Sequence, residues 1–208
     1  MPSSPLPGLD ACAAFADRVV GTLWWQLRFP GLPLARMPRF RPGNGARQAF
    51  LRLEPDGEHS ITLPRRYRTK GIVLHELAHW ALSTEPDLPA HGATFTRVLL
   101  DATAEYCSAE RADTLSASYL EQRVRVGAPP RSGPDGRLRY GWDERLRLGR
   151  GRRLAVHHGT DNVERADGIF TGFERRGTVV VLQTPTSAER ISTRAVWAVE
   201  AADAVQVA

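Results

Sequence analysis

The segment that most constrains the fold of this chain is an apolar stretch interrupted by polar residues, His75-Glu76-Leu77-Ala78-His79. Gly71-Ile72-Val73-Leu74 precede it and Trp80-Ala81-Leu82 follow it, a composition that favours a largely buried helix. Four residues apart on a helix, the two imidazoles share one face. Burying two histidines and a carboxylate among apolar side chains is costly unless something bonds or neutralises them, and a divalent metal does both.

The same stretch carries signals for the ends of its helix. Thr69 is a candidate N-cap, and Ser83-Thr84-Glu85-Pro86 contains residues that end helices. We therefore predict a helix on which His75 and His79 bind one zinc ion and Glu76 polarises a water on the metal. The alternative is that both histidines are hydrogen-bonded core residues, which leaves Glu76 without an evident role.

Hydrolytic zinc usually takes three protein ligands and keeps one position for water. His91-Gly92-Ala93-Thr94-Phe95 opens a second helical pattern, whose apolar stripe continues through Val98, Leu99 and Ala102. His91 would then lie at a helix start, from which a loop can fold back onto the first helix, and we predict it as the third ligand. Glu105, on roughly the same stripe, and Asp101, off it, are the alternatives.

Two motifs, Val73-Leu74-His75-Glu76-Leu77-Ala78-His79 and His91-Gly92-Ala93-Thr94-Phe95, resemble those of the zincin metallopeptidases of the SprT-like and related groups. They also resemble a family of short bacterial metallohydrolases, and the likeness covers about residues 45–105. It implies that His75, His79 and His91 are zinc ligands and that Glu76 is the general acid/base. The chain departs from the metzincin pattern, because no glycine and third histidine follow His79 at the required short spacing.

The rest of the first 126 residues predicts further helices and one strand pair. Asp10 to Phe29 has the pattern of one amphipathic helix, and Ala93 to Cys107 and Ala109 to Arg125 predict two more. The core face of the first helix is predicted as Phe15, Val19, Leu23 and Leu27. Gln48 to Leu53 and Ser60 to Leu63, joined across Asp56-Gly57, predict two strands.

Ile61-Thr62-Leu63-Pro64 admits two interpretations. It is either the edge of an active-site cleft that pairs with an extended peptide, or part of a purely structural hairpin. Arg65, Arg66 and Arg68 predict a solvated turn, with a contact to a substrate carboxylate as the alternative.

A second domain is expected after residues 127–136, whose glycine, proline and serine content favours neither helix nor strand. Five short β-rich runs follow, separated by turn residues, and resemble a small SH3-like antiparallel barrel. They are Arg153–His157, Gly168–Glu174, Thr178–Gln183, Glu189–Thr193 and Ala195–Val199. The predicted fold class is α+β, with a zincin-like domain over 1–126, an arginine-rich linker over 127–150 and a barrel over 151–208.

The excess positive charge lies in the middle of the chain. Residues 123–153 contain ten basic and three acidic side chains, whereas residues 1–122 contain thirteen of each. The segment 137–153 could contact phosphates and stack bases, so nucleic acid is a candidate partner; a solvated linker is the alternative. Its arginines and aromatic residues are Arg137, Arg139, Arg145, Arg147, Arg150, Arg152, Arg153, Tyr140 and Trp142.

Other side chains are weaker candidates. His157-His158 indicates a second metal site or, alternatively, a solvated strand end, because no companion ligand stands at a recognisable spacing. Tyr67, Tyr106 and Tyr119 are each conceivable partners for an oxyanion.

These patterns together predict a cytoplasmic zinc-dependent hydrolase, specifically a metallopeptidase that acts on peptide or protein substrates. No leader or membrane-spanning pattern is recognised, so no membrane partner is expected. The alternative function is a non-catalytic, zinc-stabilised protein that binds nucleic acid or a protein partner through the basic segment and the barrel. A third possibility applies the same zinc chemistry to another amide or an ester.

Overall fold

The computed structural model describes residues 5–29, 31–32, 34–83, 90–132, 138–139, 150–159, 164–175, 179–192 and 195–201. The chain forms two compact units, one of Met1–Ser83 with Phe95–Arg125 and one of Thr84–Thr94 with Val126–Ala208. Helices and small sheets occur together, which confirms the α+β class. Among the helices in these ranges, none combines the length and the apolar character needed to cross a membrane.

The first helical segment is divided in two, contrary to the single helix predicted over Asp10 to Phe29. Helix α1 spans Leu9–Val20 and helix α2 spans Leu23–Arg28. The break falls at Gly21 and Thr22, where the Thr22 hydroxyl accepts a hydrogen bond from the Trp25 backbone N–H at 3.3 Å and so caps α2.

This break corrects the predicted core face. Phe15 and Val19 are buried, but Leu23 and Leu27 are 69% and 37% exposed, so their assignment to the core was wrong. The new helix start changes the direction of the side chains that follow it, and within α2 it is Trp25 that is buried.

The helix that carries the first histidine motif is α3, Lys70–Ala81. The Thr69 side chain accepts a hydrogen bond from the Ile72 backbone N–H, which confirms the predicted N-cap. Val73 and Leu77 are inaccessible to solvent, and Trp80 stacks on Trp25 with ring centroids 5.9 Å apart. The motif therefore lies on a helix firmly packed in the core.

Two further helices belong to the first unit, except for the first two residues of α4. Helix α4 spans Ala93–Tyr106, and its predicted stripe is buried throughout, at Phe95, Val98, Leu99 and Ala102. Helix α5 spans Ala109–Glu121 and is capped by the Ser108 side chain.

Three strands form the sheet of the first unit, in the order β1-β3-β2. They are β1 Arg39–Pro42, β2 Phe50–Leu53 and β3 His59–Leu63. The predicted hairpin of β2 and β3 is confirmed, and β1 adds a parallel neighbour on the other side of β3. Of the two interpretations of Ile61-Thr62-Leu63-Pro64, the structure contradicts the cleft edge, because β3 is paired on both sides; β1 and β2 are the edge strands.

The second unit contains a five-stranded antiparallel sheet in the order β10-β6-β7-β8-β9 and a two-stranded ribbon of β4 Arg131–Ser132 and β5 Leu138–Arg139. Each of the five predicted β-rich runs contains a strand, and the predicted ends Thr178 and Thr193 lie outside the described residues. They are β6 Arg153–His158, β7 Glu164–Glu174, β8 Val179–Gln183, β9 Ala188–Ser192 and β10 Val196–Ala201.

The core of this sheet forms along one face. It consists of Leu154, Val156, Ala166, Phe170, Val180, Leu182 and Ile191. Within the residues that the structure describes, the outer strands β9 and β10 do not pair with each other, so closure into an SH3-like barrel stays a prediction.

Candidate metal centre

Helix α3 places His75 and His79 one turn apart on the same side. Their Nε2 atoms are 3.2 Å apart, and their ring centroids are separated by 4.9 Å. Both side chains are half-buried. The helical spacing predicted from the motif is thus present, with two nitrogen atoms already close enough to share one ion.

The aromatic ring of Phe95 packs against both imidazoles. Its centroid is 5.0 Å from that of His75 and 4.4 Å from that of His79. Phe95 is 2% exposed and lies in the first turn of α4. The start of α4 therefore packs against the histidine face of α3, and His91 lies only two residues before that start.

His91 completes a group of three possible ligands. The candidate ligand atoms of His75, His79 and His91 all lie within 4.8 Å of one another. Two nitrogen ligands on one tetrahedral zinc are about 3.4 Å apart, so this group fits the ion with at most a small shift of the exposed His91 ring. Three histidines are a known ligand set for catalytic zinc.

The two alternative third ligands are not members of this group. Asp101 receives a 3.1 Å hydrogen bond from Arg97 Nη1 on the same helix, and Glu105 is exposed. Of the three residues considered from the sequence, His91 is the one that the structure brings to His75 and His79.

Glu76 is buried next to His75 in the chain and is only 3% exposed. Burial raises the pKa of its carboxyl group to about 7, an effect that a hydrogen bond from the Leu51 backbone partly opposes. Its Oε2 atom has no hydrogen-bond partner among the atoms described. A buried oxygen of this kind fits a site completed by a cation and a water, because either would satisfy it.

Two contacts of this centre were not predicted. Leu51 contributes a backbone group, and every non-proline residue has one, so no side-chain pattern could indicate it. Phe95 was predicted as a core residue, but its contact with both imidazoles depends on how α4 packs on α3.

Tyr106 has a structural role in this unit. Its hydroxyl is 2.6 Å from the Thr22 hydroxyl, and its ring meets Trp24 edge-on at 5.4 Å. These contacts join α4 to α2 and assign Tyr106 to packing. An oxyanion role for Tyr67 or Tyr119 stays a prediction.

The turn of arginines before α3 is only partly solvated. Arg65 and Arg66 are exposed on a short 3-10 helix, and the Arg66 guanidinium donates to the Arg47 carbonyl oxygen. Arg68 is half-buried and its Nε is inaccessible, so the predicted solvated turn was wrong at that position.

The pair His157-His158 lies within β6. His157 is 3% exposed, which makes the predicted solvated strand end wrong for this residue, and His158 Nδ1 is 3.0 Å from Glu164 Oε2. The described parts of the chain contain no second group of three possible metal ligands. Both histidines thus belong to the sheet of the second unit.

Much of the basic segment 137–153 lies outside the described residues, including Arg137, Tyr140, Trp142, Arg145 and Arg147, as does the side chain of Arg139. Arg153 is exposed, and the guanidinium of Arg150 lies close to Gly172. A nucleic-acid site on this segment therefore stays a prediction.

Comparison with protein-family models, curated proteins and solved structures gives no match to this chain.

Proposed function

We propose that this protein is a zinc-dependent hydrolase that cleaves peptide bonds. One observation carries the proposal: three histidine ligand atoms lie within 4.8 Å of one another, and the buried carboxyl group of Glu76 on the same helix has an unpartnered oxygen. A structural metal site requires ligands, but it does not require an additional buried carboxylate.

His75, His79 and His91 would hold the zinc, and bound zinc supplies a Lewis acid that polarises the scissile carbonyl group. Glu76 accepts the proton of the attacking water and passes it to the leaving amine. The hydrogen bond from the Leu51 backbone and the packing of Phe95 hold the carboxylate and the two imidazoles in place for these tasks.

The open edge of β2 supports a peptide as the substrate in preference to another amide or an ester. An extended peptide adds to an exposed strand through main-chain hydrogen bonds, which give affinity without requiring a particular side chain. Because Leu51 of β2 bonds to Glu76, a peptide on this edge would lie beside the catalytic carboxylate.

A zincin-like first unit and an SH3-like barrel in the second unit are part of the same proposal. The active-site helix α3 follows a small sheet whose edge strand contacts it, which supports the first. Five short antiparallel strands around one apolar core support the second.

The test compares Glu76→Gln with wild-type protein. We expect the variant to retain zinc, because its histidines are unchanged, and to lose at least about 100-fold in peptide hydrolysis, because general-base catalysis is removed. Zinc content is measured by elemental analysis and hydrolysis by digestion of a peptide library. Glu58→Gln, at an exposed position, is the matched control and should retain both.

Equal activity of wild type and Glu76→Gln, or protein that never takes up zinc, would contradict the proposal. Zinc uptake without any hydrolysis would instead support the non-catalytic alternative, a zinc-stabilised protein that binds nucleic acid or a partner through its basic segment and second unit.

A further inference from the structure

We propose that Arg52 selects substrates with an acidic side chain at the position that lies opposite it when a peptide adds to the open edge of β2. The inference rests on the proposed peptidase function and extends it to a substrate class. It rests on three observations: which β2 residues direct their backbone groups away from β3, which side chains share a face of the first sheet, and which arginines on that face have carboxylate partners.

The backbone hydrogen-bonding pattern of β2 shows which residues direct their backbone groups to the open edge. In an antiparallel strand, successive residues direct these groups alternately to either side. The Glu54 N–H donates to the Glu58 carbonyl at 2.8 Å on the β3 side, whereas Leu51 bonds to Glu76 on the other. Leu51 and Leu53 therefore direct their backbone groups to the edge away from β3. The Leu51 N–H is already used by Glu76, so an added peptide would bond to the Leu51 carbonyl and to Leu53.

The strand register shows which side chains share a face. Residues directly opposite each other in neighbouring strands project from the same face. Arg52 lies opposite Ser60, which lies opposite Arg39, and the next such row contains Arg41. One face of the sheet thus carries three arginines, and the other contains the inaccessible Ile61.

Two of these arginines already have carboxylate partners. Arg39 is 3.2 Å from Asp56, and Arg41 is 3.6 Å from Glu54, which also accepts a hydrogen bond from the Ser60 hydroxyl. The pairs neutralise the part of the face that lies on β1.

Arg52 differs from them in its partner and in its strand. Its side chain is exposed, and its guanidinium lies 5.3 Å from the centroid of the Phe50 ring. No carboxylate pairs with it among the residues placed in the structure. Because Arg52 belongs to β2, the edge strand that bonds to Glu76, it is the arginine that a peptide on that edge would contact.

A peptide on this edge would project alternate side chains to the Arg52 face and to the opposite face. A carboxylate opposite Arg52 would form a cross-strand ion pair of the kind that arginine makes well. On the opposite face the peptide would meet Leu53, which is 63% exposed. The favoured substrates are therefore extended peptides in which acidic and apolar side chains alternate.

The test uses three fluorescent pools of peptides about ten residues long, long enough to cover a strand of typical length. Apolar residues alternate with Asp or Glu in one pool, with Asn or Gln in the second, and with Lys or Arg in the third. Binding is measured by anisotropy at low salt with zinc-loaded Glu76→Gln protein, so that bound peptides are not cleaved.

We expect the acidic pool to bind about two- to fivefold more tightly than the amide pool, the range given by cross-strand charge pairs. Adding Arg52→Gln should remove this preference, and Arg52→Glu should shift it to the basic pool. Arg39→Gln is the matched control; it removes an arginine of the same face that already has a carboxylate partner, and should retain the preference.

A preference that survives Arg52→Gln, or that Arg39→Gln removes equally, overturns the role of Arg52, as does a failure of every pool to bind. A cleavage assay distinguishes failure of the proposed role of Arg52 from failure of the hydrolase proposal. Zinc- and Glu76-dependent cleavage without acidic preference removes only the role of Arg52. Arg52-dependent binding without any cleavage removes only the hydrolase.

Discussion

At the scale of single residues, Glu76 has the most unusual environment in the candidate centre. It is buried, and its ionised form is disfavoured because protein atoms replace water around it. Nearby cations remove this penalty, so the carboxylate and a metal ion would stabilise each other.

The first prediction concerns metal-free protein. Burial raises the Glu76 pKa from its ordinary 4.5 to about 7, so the folded state holds a proton that the unfolded state releases in that interval. The free energy of unfolding is therefore highest below about pH 4.5 and falls by on the order of 3 kcal/mol as the pH rises to about 7. Urea unfolding of chelator-treated wild type and Glu76→Gln between pH 5 and pH 8 measures the difference. Parallel pH profiles for the two proteins would contradict the prediction.

The second prediction concerns His91. His91→Ala should weaken zinc binding by at least about 100-fold, because the ion loses a direct ligand, and even supporting residues of metal sites contribute 10- to 100-fold. Competition with a chromophoric chelator measures the affinity. His158→Ala, which removes a histidine paired with Glu164, is the control and should bind zinc as wild type does. Unchanged affinity in His91→Ala would exclude this residue as a ligand.

At the scale of elements, α3 is stabilised by its cap and by the residues packed on its histidine face. Thr69 satisfies one backbone N–H of its first turn, and Phe95 from α4 covers both imidazoles. The helix is thus fixed at its start and across its functional face.

The third prediction addresses the cap. Thr69→Ala should destabilise the protein by about 1 kcal/mol, because the Ile72 N–H loses its partner, whereas Thr69→Ser retains the hydroxyl and most of the stability. The midpoint of urea unfolding should shift at constant slope. Equal midpoints for the two variants would show that the cap does not stabilise this helix.

The fourth prediction separates packing around the imidazoles from packing in general. Phe95→Leu should lower both stability and zinc affinity, because it removes ring atoms from His75 and His79. Phe170→Leu, a similarly buried change in the core of the second unit, should cost a comparable 1 kcal/mol or so and leave zinc affinity unchanged. Equal zinc affinities for both variants would deny Phe95 a role in orienting the histidines.

At the scale of the whole molecule, the two compact units each contain buried apolar residues that stabilise them. A metal that binds only the folded chain would add to that stability.

The fifth prediction follows from mass action. Zinc at about 100 times its dissociation constant should stabilise the protein by about 3 kcal/mol, and a chelator should reverse the effect. Thermal unfolding with and without zinc measures it, and His75→Ala combined with His79→Ala should show no zinc-dependent shift. A shift that persists in this double variant would place the zinc elsewhere.

Local pattern was sufficient to predict α3 with its cap, the buried stripe of α4, the hairpin of β2 and β3, and the five strands of the second unit. Each depends on the period of apolar residues or on a hydrogen bond within a few residues, and both are written in the order of the amino acids. The spacing of His75 and His79 belongs to this class, since a single helical turn brings them together.

Tertiary structure decided what depends on distant partners. Leu23 and Leu27 lost their predicted core positions when Thr22 began a new helix, and Ile61 became central because β1 paired with β3. His91 joined His75 and His79, and Leu51 bonded to Glu76, only because separate elements packed together. The sequence alone thus determined which groups could bind a metal, and packing determined which of them meet. Which segments supply ligands to one metal, and which strand lies at the edge of a sheet, depend on contacts between distant segments. The local spacing of apolar residues does not encode those contacts.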